Sequence, residues 1–360
     1  MARTGIATLP LHGGRAPRWL FQRMASLARE ITCMMVAELG HGEFLTRLSD
    51  PYWFQALGCV LGFDWHSSGV TTTVTGALKE GLKGIEAEVG LFLAGGKGAA
   101  SRKTPEQIRH HAERCSIGAE PLVHASRMSA KVDSTAVQDG YQIYHHAFVF
   151  TSAGQWAVIQ QGMNPEKGLA RRYHWLGETV QLLTVEPHAA VCCDTRGQAV
   201  LNLVANESGK TRSACAALAR ENPDGVIAGL SRVDALNLPM RHKVRAGDID
   251  PKRLYRVLIK TYERQPADFE SLLGIAGVGP KTIRALSLLS ELLYGAPPSY
   301  RDPARFSFAH GGKDGTPFPV DVATYDKTID VLRRAVNSAK VGNRDKAQAI
   351  RRLVTYFGAD

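Results

Sequence analysis

The run Leu272-Leu273-Gly274-Ile275-Ala276-Gly277-Val278-Gly279-Pro280-Lys281-Thr282 constrains the fold more than any other stretch of the chain. Two glycines one residue apart, between apolar segments, let the backbone reverse sharply. Proline then suits the first turn of a new helix, which Arg284, Leu286, Leu288 and Leu289 continue. The first N–H groups of such a helix have no intrahelical acceptor, and the helix dipole favours an anion beside them. Lys281 and Arg284 add positive charge at the same place. The other reading is a glycine cap joining two core helices.

With its order Gly277-Val278-Gly279-x-Lys281-Thr282, the run resembles the helix-hairpin-helix motif of DNA repair and recombination proteins. The resemblance implies that Gly277, Val278, Gly279, Lys281, Thr282 and Arg284 grip the DNA backbone without reading bases. The charge distribution points the same way. The chain has 360 residues and a net charge of +10. Residues 1–205 hold 19 Lys+Arg against 17 Asp+Glu, whereas residues 206–360 hold 25 against 17. Positive charge concentrated in the half that carries the motif is the footprint of a polyanion binder. The expected partner is DNA (single-stranded, duplex or branched), with RNA left open, because a backbone grip discriminates poorly between them.

The length suits two domains. Residues 1–205 are expected to form an α/β domain, a mixed sheet with flanking helices, and residues 206–360 an all-α helix-hairpin-helix domain. The polar stretch Asn206–Lys210 is read as the linker. Apolar spacing predicts a helix from Trp19 to about Met35, another over 44–61 broken at Asp50-Pro51, and others over 105–115 and 122–138. Glu86–Leu93 reads as a strand and Gly95-Gly96-Lys97-Gly98 as a loop. Tyr141–Phe150 and Trp156–Ile159 read as a hairpin turning at Ala153-Gly154, and Ala189–Cys193 as a further strand. Helices are expected over 211–220, 223–236, 251–263, 268–275, 280–294, 321–340 and 343–357. There is no long internal repeat.

Most reactive side chains lie upstream of the linker. The 122–138 segment carries Ser126, Lys131, Asp133, Ser134 and Gln138, and Asp139-Gly140 follows. On a strand, His145 and His146 face opposite ways. A hairpin at Gly154 brings Gln160 and Gln161 back beside them. Asp64, Asp133 and Asp139, with His66, His145 or His174, are candidates to hold a divalent ion (Mg2+ or Mn2+) for phosphodiester cleavage. His145, His146 and Gln161 join the candidate catalytic residues, with a histidine nucleophile as the metal-free route. Asp133, Asp139 and His146 form the candidate metal set. Asp64 and His66 lie in the turn Gly62–Gly69, where Ser67 and Ser68 stand before a helix start that suits an anion. The glycine-flanked His12-Gly13-Gly14-Arg15 and His310-Gly311-Gly312-Lys313 are further candidate phosphate-facing loops.

Three further resemblances bear on function. The hairpin around His146, ending in Gly162-Met163-Asn164, is similar to the histidine hairpin of the phospholipase D superfamily. Phe148 stands where that family has lysine, and Gln161-Gly162 replaces its Gly-Ser. Gly277–Thr282 with the later Pro319-Val320-Asp321 resembles the base-excision glycosylases, which implies Lys281 as Schiff-base nucleophile and Asp321 as its charge-stabilising partner. About forty residues separate the two, and Ile283 follows the Lys-Thr pair where a small residue is expected. Finally, the runs His12–Leu20, Gly62–Thr72 and Gln138–His146 resemble the domain-of-unknown-function 763 family over nearly the whole length, which implies no activity.

The resulting expectation is a nuclease acting on DNA in repair or recombination, with a helix-hairpin-helix glycosylase or a non-enzymatic DNA-binding protein as alternatives. The six cysteines show no paired metal-ligand spacing, and no apolar run approaches membrane-spanning length. A reducing cytoplasm without membrane attachment is therefore expected, and self-association as a homo-oligomer is left open.

Overall fold

The computed structural model describes residues 16–63, 68–193, 200–233, 250–304 and 322–357. Three helices, α1 (Arg18–Ser49), α2 (Pro51–Leu61) and α3 (Gly69–Leu82), precede a single turn, α4 (Glu86–Val89), and strand β1 (Leu91–Lys97). After α5 (Ala99–Arg102), α6 (Thr104–Arg114) and α7 (Ala119–Lys131), a π-helical turn over Val132–Ala136 passes into β2 (Val137–Gln138). A meander of β3 (Gln142–Thr151), β4 (Trp156–Asn164) and β5 (Leu169–Leu176) leads to β6 (Ala190–Cys192) and β7 (Leu201–Asn202). Helices α8 (Gly209–Leu218), α9 (Pro223–Val233), α10 (Pro251–Arg264), α11 (Phe269–Gly274), α12 (Pro280–Tyr294), α13 (Val322–Ser338) and α14 (Asn343–Phe357) complete the described chain.

The main sheet is antiparallel throughout, in the order β1-β3-β4-β5-β6, and β2 pairs with β7 beside it. Alternation along the strands sends apolar side chains to both faces. Phe148, Phe150, Val158, Tyr173 and Trp175 join one apolar cluster with residues of α6 to α12. Val149, Ala157, Ile159 and Leu176 join the other, with α1 to α3, α13 and α14. The sheet is thus the middle layer between two helical layers. The apolar core crosses residues 205 and 206: Asn206–Ser208 is a 3-10 turn, and buried Ser208 donates to Asn202 O at 2.7 Å. The helices beyond residue 206 are shared between the two layers, α8–α12 in one and α13–α14 in the other.

Local chemistry accounts for most element ends. The Asp50 side chain accepts from Tyr52 N and Trp53 N, and Pro51 occupies the first turn of α2, so the expected break falls there. Gly40, at φ +81°, kinks α1. The 122–138 segment is not one helix, because Val132–Ala136 widens into a π turn that carries Asp133 into the interior. Two readings around β1 need correction. Glu86–Val89 is a helical turn ended by Gly90 in the left-handed region, and the strand begins at Leu91. Gly95, Gly96 and Lys97 belong to that strand rather than to a loop. Their glycines serve close approach: a Cβ on Gly95 would lie 2.2 Å from His146 O and 2.7 Å from Thr104 Oγ1.

No helix among the described residues is long and apolar enough to cross a membrane. The sequence readings at His12–Arg15, at Asp64, His66 and Ser67, at His310–Lys313 and at Asp321 lie outside the described residues.

Because Gly95 has φ +92° as well as this contact, Gly95→Ala is expected to destabilise the fold by roughly 2–4 kcal/mol. Urea unfolding of the two proteins measures this, and equal midpoints would refute the close approach.

Candidate functional site

The strand register sets polar residues side by side at one end of the sheet. His146, Gln160 and Tyr173 are cross-strand partners in one row, and His145, Gln161, Arg172 and Cys192 in the next. Adjacent residues on a strand face opposite ways, so the two rows form separate clusters, one beneath each helical layer.

The first cluster is a directed hydrogen-bond chain. Gln160 Nε2 donates to Asp133 Oδ2 at 2.6 Å and to Ser129 O at 3.2 Å, which turns its Oε1 toward His146 Nδ1 at 2.9 Å. That ring nitrogen therefore carries the proton, and Nε2 accepts from Ser126 Oγ at 2.9 Å. Asp133 is fully buried and also accepts from Trp175 Nε1 at 3.0 Å and from His188 Nε2 at 2.5 Å. Burial lowers the proton affinity of His146, opposed by Gln160 and Asp133. The order hydroxyl, imidazole, amide, carboxylate is the polarity that activates a hydroxyl. Ser126, however, is only 2% exposed, so in this conformation the chain organises the core.

Next to it, Asp139 accepts from Arg171 Nη1 at 2.8 Å and from Tyr173 OH at 2.6 Å. Arg171 also binds Asp302, at 2.8 Å from Nη2, and lies 4.6 Å from the Tyr141 ring centroid. Burial raises the Asp139 carboxyl, and Arg171 and Tyr173 oppose that rise. The candidate metal set is not assembled. Asp133 and His146 are held apart by Gln160, and Asp139 is committed to Arg171. No group of three or more His, Cys, Asp or Glu side chains among the described residues is arranged to hold an ion.

The second cluster lies under α3. Thr71 Oγ1 donates to Gln161 Oε1, and Gln161 Nε2 donates to Ser68 O at 2.8 Å and to Tyr144 OH. Arg172 donates to Gln55 Oε1, Thr71 Oγ1 and His174 Nε2 and stacks over Phe54, 4.5 Å from its centroid. Thr75 gives its proton to Thr71 O at 2.8 Å, so it accepts from His145 Nε2 at 3.0 Å. His145 Nδ1 is then a buried lone pair with no partner among the described residues. Burial, His146, Lys97 and Lys79 lower the His145 pKa to about 3. Burial likewise holds His174 well below the usual range. The outer edge of this cluster is half-buried Tyr144, whose ring stands 5.8 Å from exposed Lys97 Nζ.

The glycine turn joins α11 to α12 on the helical flank. Gly277, at φ +99°, and Lys281 are exposed, Gly279 and Arg284 are half-buried, and Val278 and Thr282 are buried. The N–H groups of Gly277, Gly279, Lys281 and Thr282 donate to no described acceptor. Lys131 Nζ donates to Val278 O at 2.5 Å. Gln138 bridges Pro280 O at 2.9 Å and Arg284 Nε at 2.7 Å. Val257 of α10 lies against Gly277. On α10, Leu254, Val257, Leu258 and Thr261 face inward, and Lys252, Arg253, Arg256 and Lys260 face solvent with no ion pair among the described residues.

Sequence reasoning reached both histidines, both glutamines, Ser126 and the aspartates. It missed His188, Gln55 and Thr75. Only Thr75 had a signal, its four-residue step from Thr71, which puts both hydroxyls on the sheet-facing side of α3.

These features define a helix–sheet–helix protein with two buried polar clusters back to back and an exposed glycine turn on one flank. A family model described as a protein of unknown function (DUF763) matches residues 5–320, and the chain belongs to that family. No curated protein and no solved structure matches the chain.

The histidines give a pH prediction. Folding lowers the proton affinity of His145 from 6.5 to about 3, so between those values the unfolded chain binds more protons. Stability therefore falls as pH falls, by about 1.4 kcal/mol per pH unit for each such proton. In urea unfolding from pH 7 to 4, His145→Gln is expected to show a shallower acid limb than wild type. Parallel limbs would contradict a neutral buried imidazole.

Proposed function

We propose that the protein grips the phosphodiester backbone of DNA through the 275–284 turn and processes the bound DNA in repair or recombination. One observation carries this reading: the turn has uncommitted N–H groups and packs against Val257 of α10, a helix whose solvent-facing side carries Lys252, Arg253, Arg256 and Lys260. Backbone amides at a helix start, with Lys281 beside them and further cations on α10, complement phosphate oxygens. Contacts of this kind are indifferent to base sequence. Helix-hairpin-helix binding supplies the finer description, with α11 and α12 as its two helices.

Phosphodiester cleavage is the second part of the reading, favoured by the unpartnered His145 Nδ1. His145 is 1% exposed, so this part requires the strand end at half-buried Tyr144 to open to substrate. A neutral imidazole lone pair is an acceptor for the proton of a substrate hydroxyl or water. Gln161, Thr71, Tyr144 and Lys97 line the same end of the sheet. His146, Asp133 and Asp139 then act as the supporting framework of this proposed site beneath the strands.

Lys281→Ala is expected to weaken binding of blunt duplexes of unrelated sequence alike, and to reduce the slope of log affinity against log salt by about one. An unchanged slope would remove the turn from the interface. Incubation with labelled single-stranded, duplex and branched DNA, with EDTA or with Mg2+ or Mn2+, separates the chemistries. Nicked or shortened strands, lost in His145→Gln at unchanged affinity, are the expected result. Borohydride trapping through Lys281 would instead identify a glycosylase, and intact DNA under every condition a binding protein without cleavage.

A further inference from the structure

On the opposite side of the sheet from the glycine turn, the start of α1 and the α13–α14 junction enclose a cleft of about 740 Å³. Its lining holds four cations, Arg23, Lys340, Arg344 and Arg352, against one carboxylate, Asp345. Asp345 is engaged by Arg23 at 3.4 Å. Arg352 is held in place, donating to Val60 O at 2.9 Å and to Gln348. The Lys340 and Arg344 side chains are exposed and form no ion pair among the described residues. At the mouth stands Trp19, 59% exposed, with the Arg23 guanidinium 5.6 Å from its ring centroid.

The Trp19 indole, 59% exposed beside these cations, offers an open stacking face. Cations around an open aromatic are the combination that single-stranded nucleic acids use: phosphates meet the charges and an unpaired base stacks on the ring. The junction itself echoes the glycine turn. Val341-Gly342-Asn343-Arg344 repeats the order of Val278-Gly279-Pro280-Lys281. In both, the valine packs toward the core and the glycine precedes the helix. The glycine carbonyl then accepts the fourth N–H beyond it, Ile283 N at 3.0 Å and Lys346 N at 3.1 Å.

We propose that this cleft is a second nucleic-acid site, which takes an unpaired strand with a base on Trp19 and phosphates on Lys340 and Arg344. The assignment rests on the nucleic-acid reading above and adds what that reading lacks, a preference for substrates that carry a single-stranded portion. Duplex held at the glycine turn and a free strand held at Trp19 occupy opposite helical layers of one protein.

The test is fluorescence anisotropy of the full chain with three labelled probes: a single-stranded oligonucleotide, a blunt duplex, and the same duplex with a single-stranded tail. Trp19→Ala and, separately, Arg344→Ala are expected to weaken binding of the single strand and the tailed duplex by about five- to a hundredfold. Blunt-duplex affinity should stay unchanged, and Trp19→Phe should restore most of the loss. Undiminished single-strand binding in Trp19→Ala, beside weakened duplex binding in Lys281→Ala, would overturn this inference alone. Equal losses on all three probes would overturn the division between the sites. A wild-type chain that binds none of the probes would sink both readings together.

Discussion

Burial of one sheet on both faces is the constraint from which the rest follows. Polar pairs at one level of three neighbouring strands, His145-His146, Gln160-Gln161 and Arg172-Tyr173, send one member to each side. Neither side is open to water, so these groups draw their partners from inside the protein, with His145 Nδ1 the exception among them. That requirement explains why Asp133 is carried inward on a π turn, why α3 brings Thr71 and Thr75 to the sheet, and why Asp302 returns from far along the chain to Arg171. Removing one partner would leave an uncompensated buried group, which costs more than the lost bond itself.

The segment from Lys131 to Asp139 ties the interior to the flank. Asp133 anchors the Ser126–His146–Gln160 chain, and Asp139 anchors Arg171. Between and beside them, Lys131 and Gln138 hold the carbonyls of Val278 and Pro280. The glycine turn is therefore braced against the same nine residues that organise the first polar cluster. Gln138 and Arg284 are the direct side-chain link between that segment and α12. The His145 cluster proposed for cleavage lies on the other face of the sheet, so the first cluster and the strands stand between it and the turn.

Much of this was legible in the sequence because the relevant signals are local. The hairpin at Gly154, the break at Asp50-Pro51 and the helix over Pro280–Tyr294 follow from turn residues, a capping side chain and apolar spacing. Opposite facing of His145 and His146 follows from strand geometry alone. What escaped depends on contacts between distant segments. Gly95 and Gly96 read as a loop because nothing local says that a neighbouring strand passes within reach of a Cβ. His188 sits between elements with no periodicity around it, and only the fold brings it to Asp133. The α/β character of the first half was readable. The sharing of the later helices between the two faces was not, since that is set by which apolar surfaces meet.

Amide hydrogen exchange with and without a duplex of arbitrary sequence tests the central claim most directly, because the backbone N–H groups of the turn are its substance. Addition of DNA should slow exchange at Gly277, Gly279, Lys281 and Thr282 and leave the buried strands β3 to β5 unchanged. DNA that binds, yet leaves those four amides exchanging at their free rate while other surfaces become protected, would contradict the account.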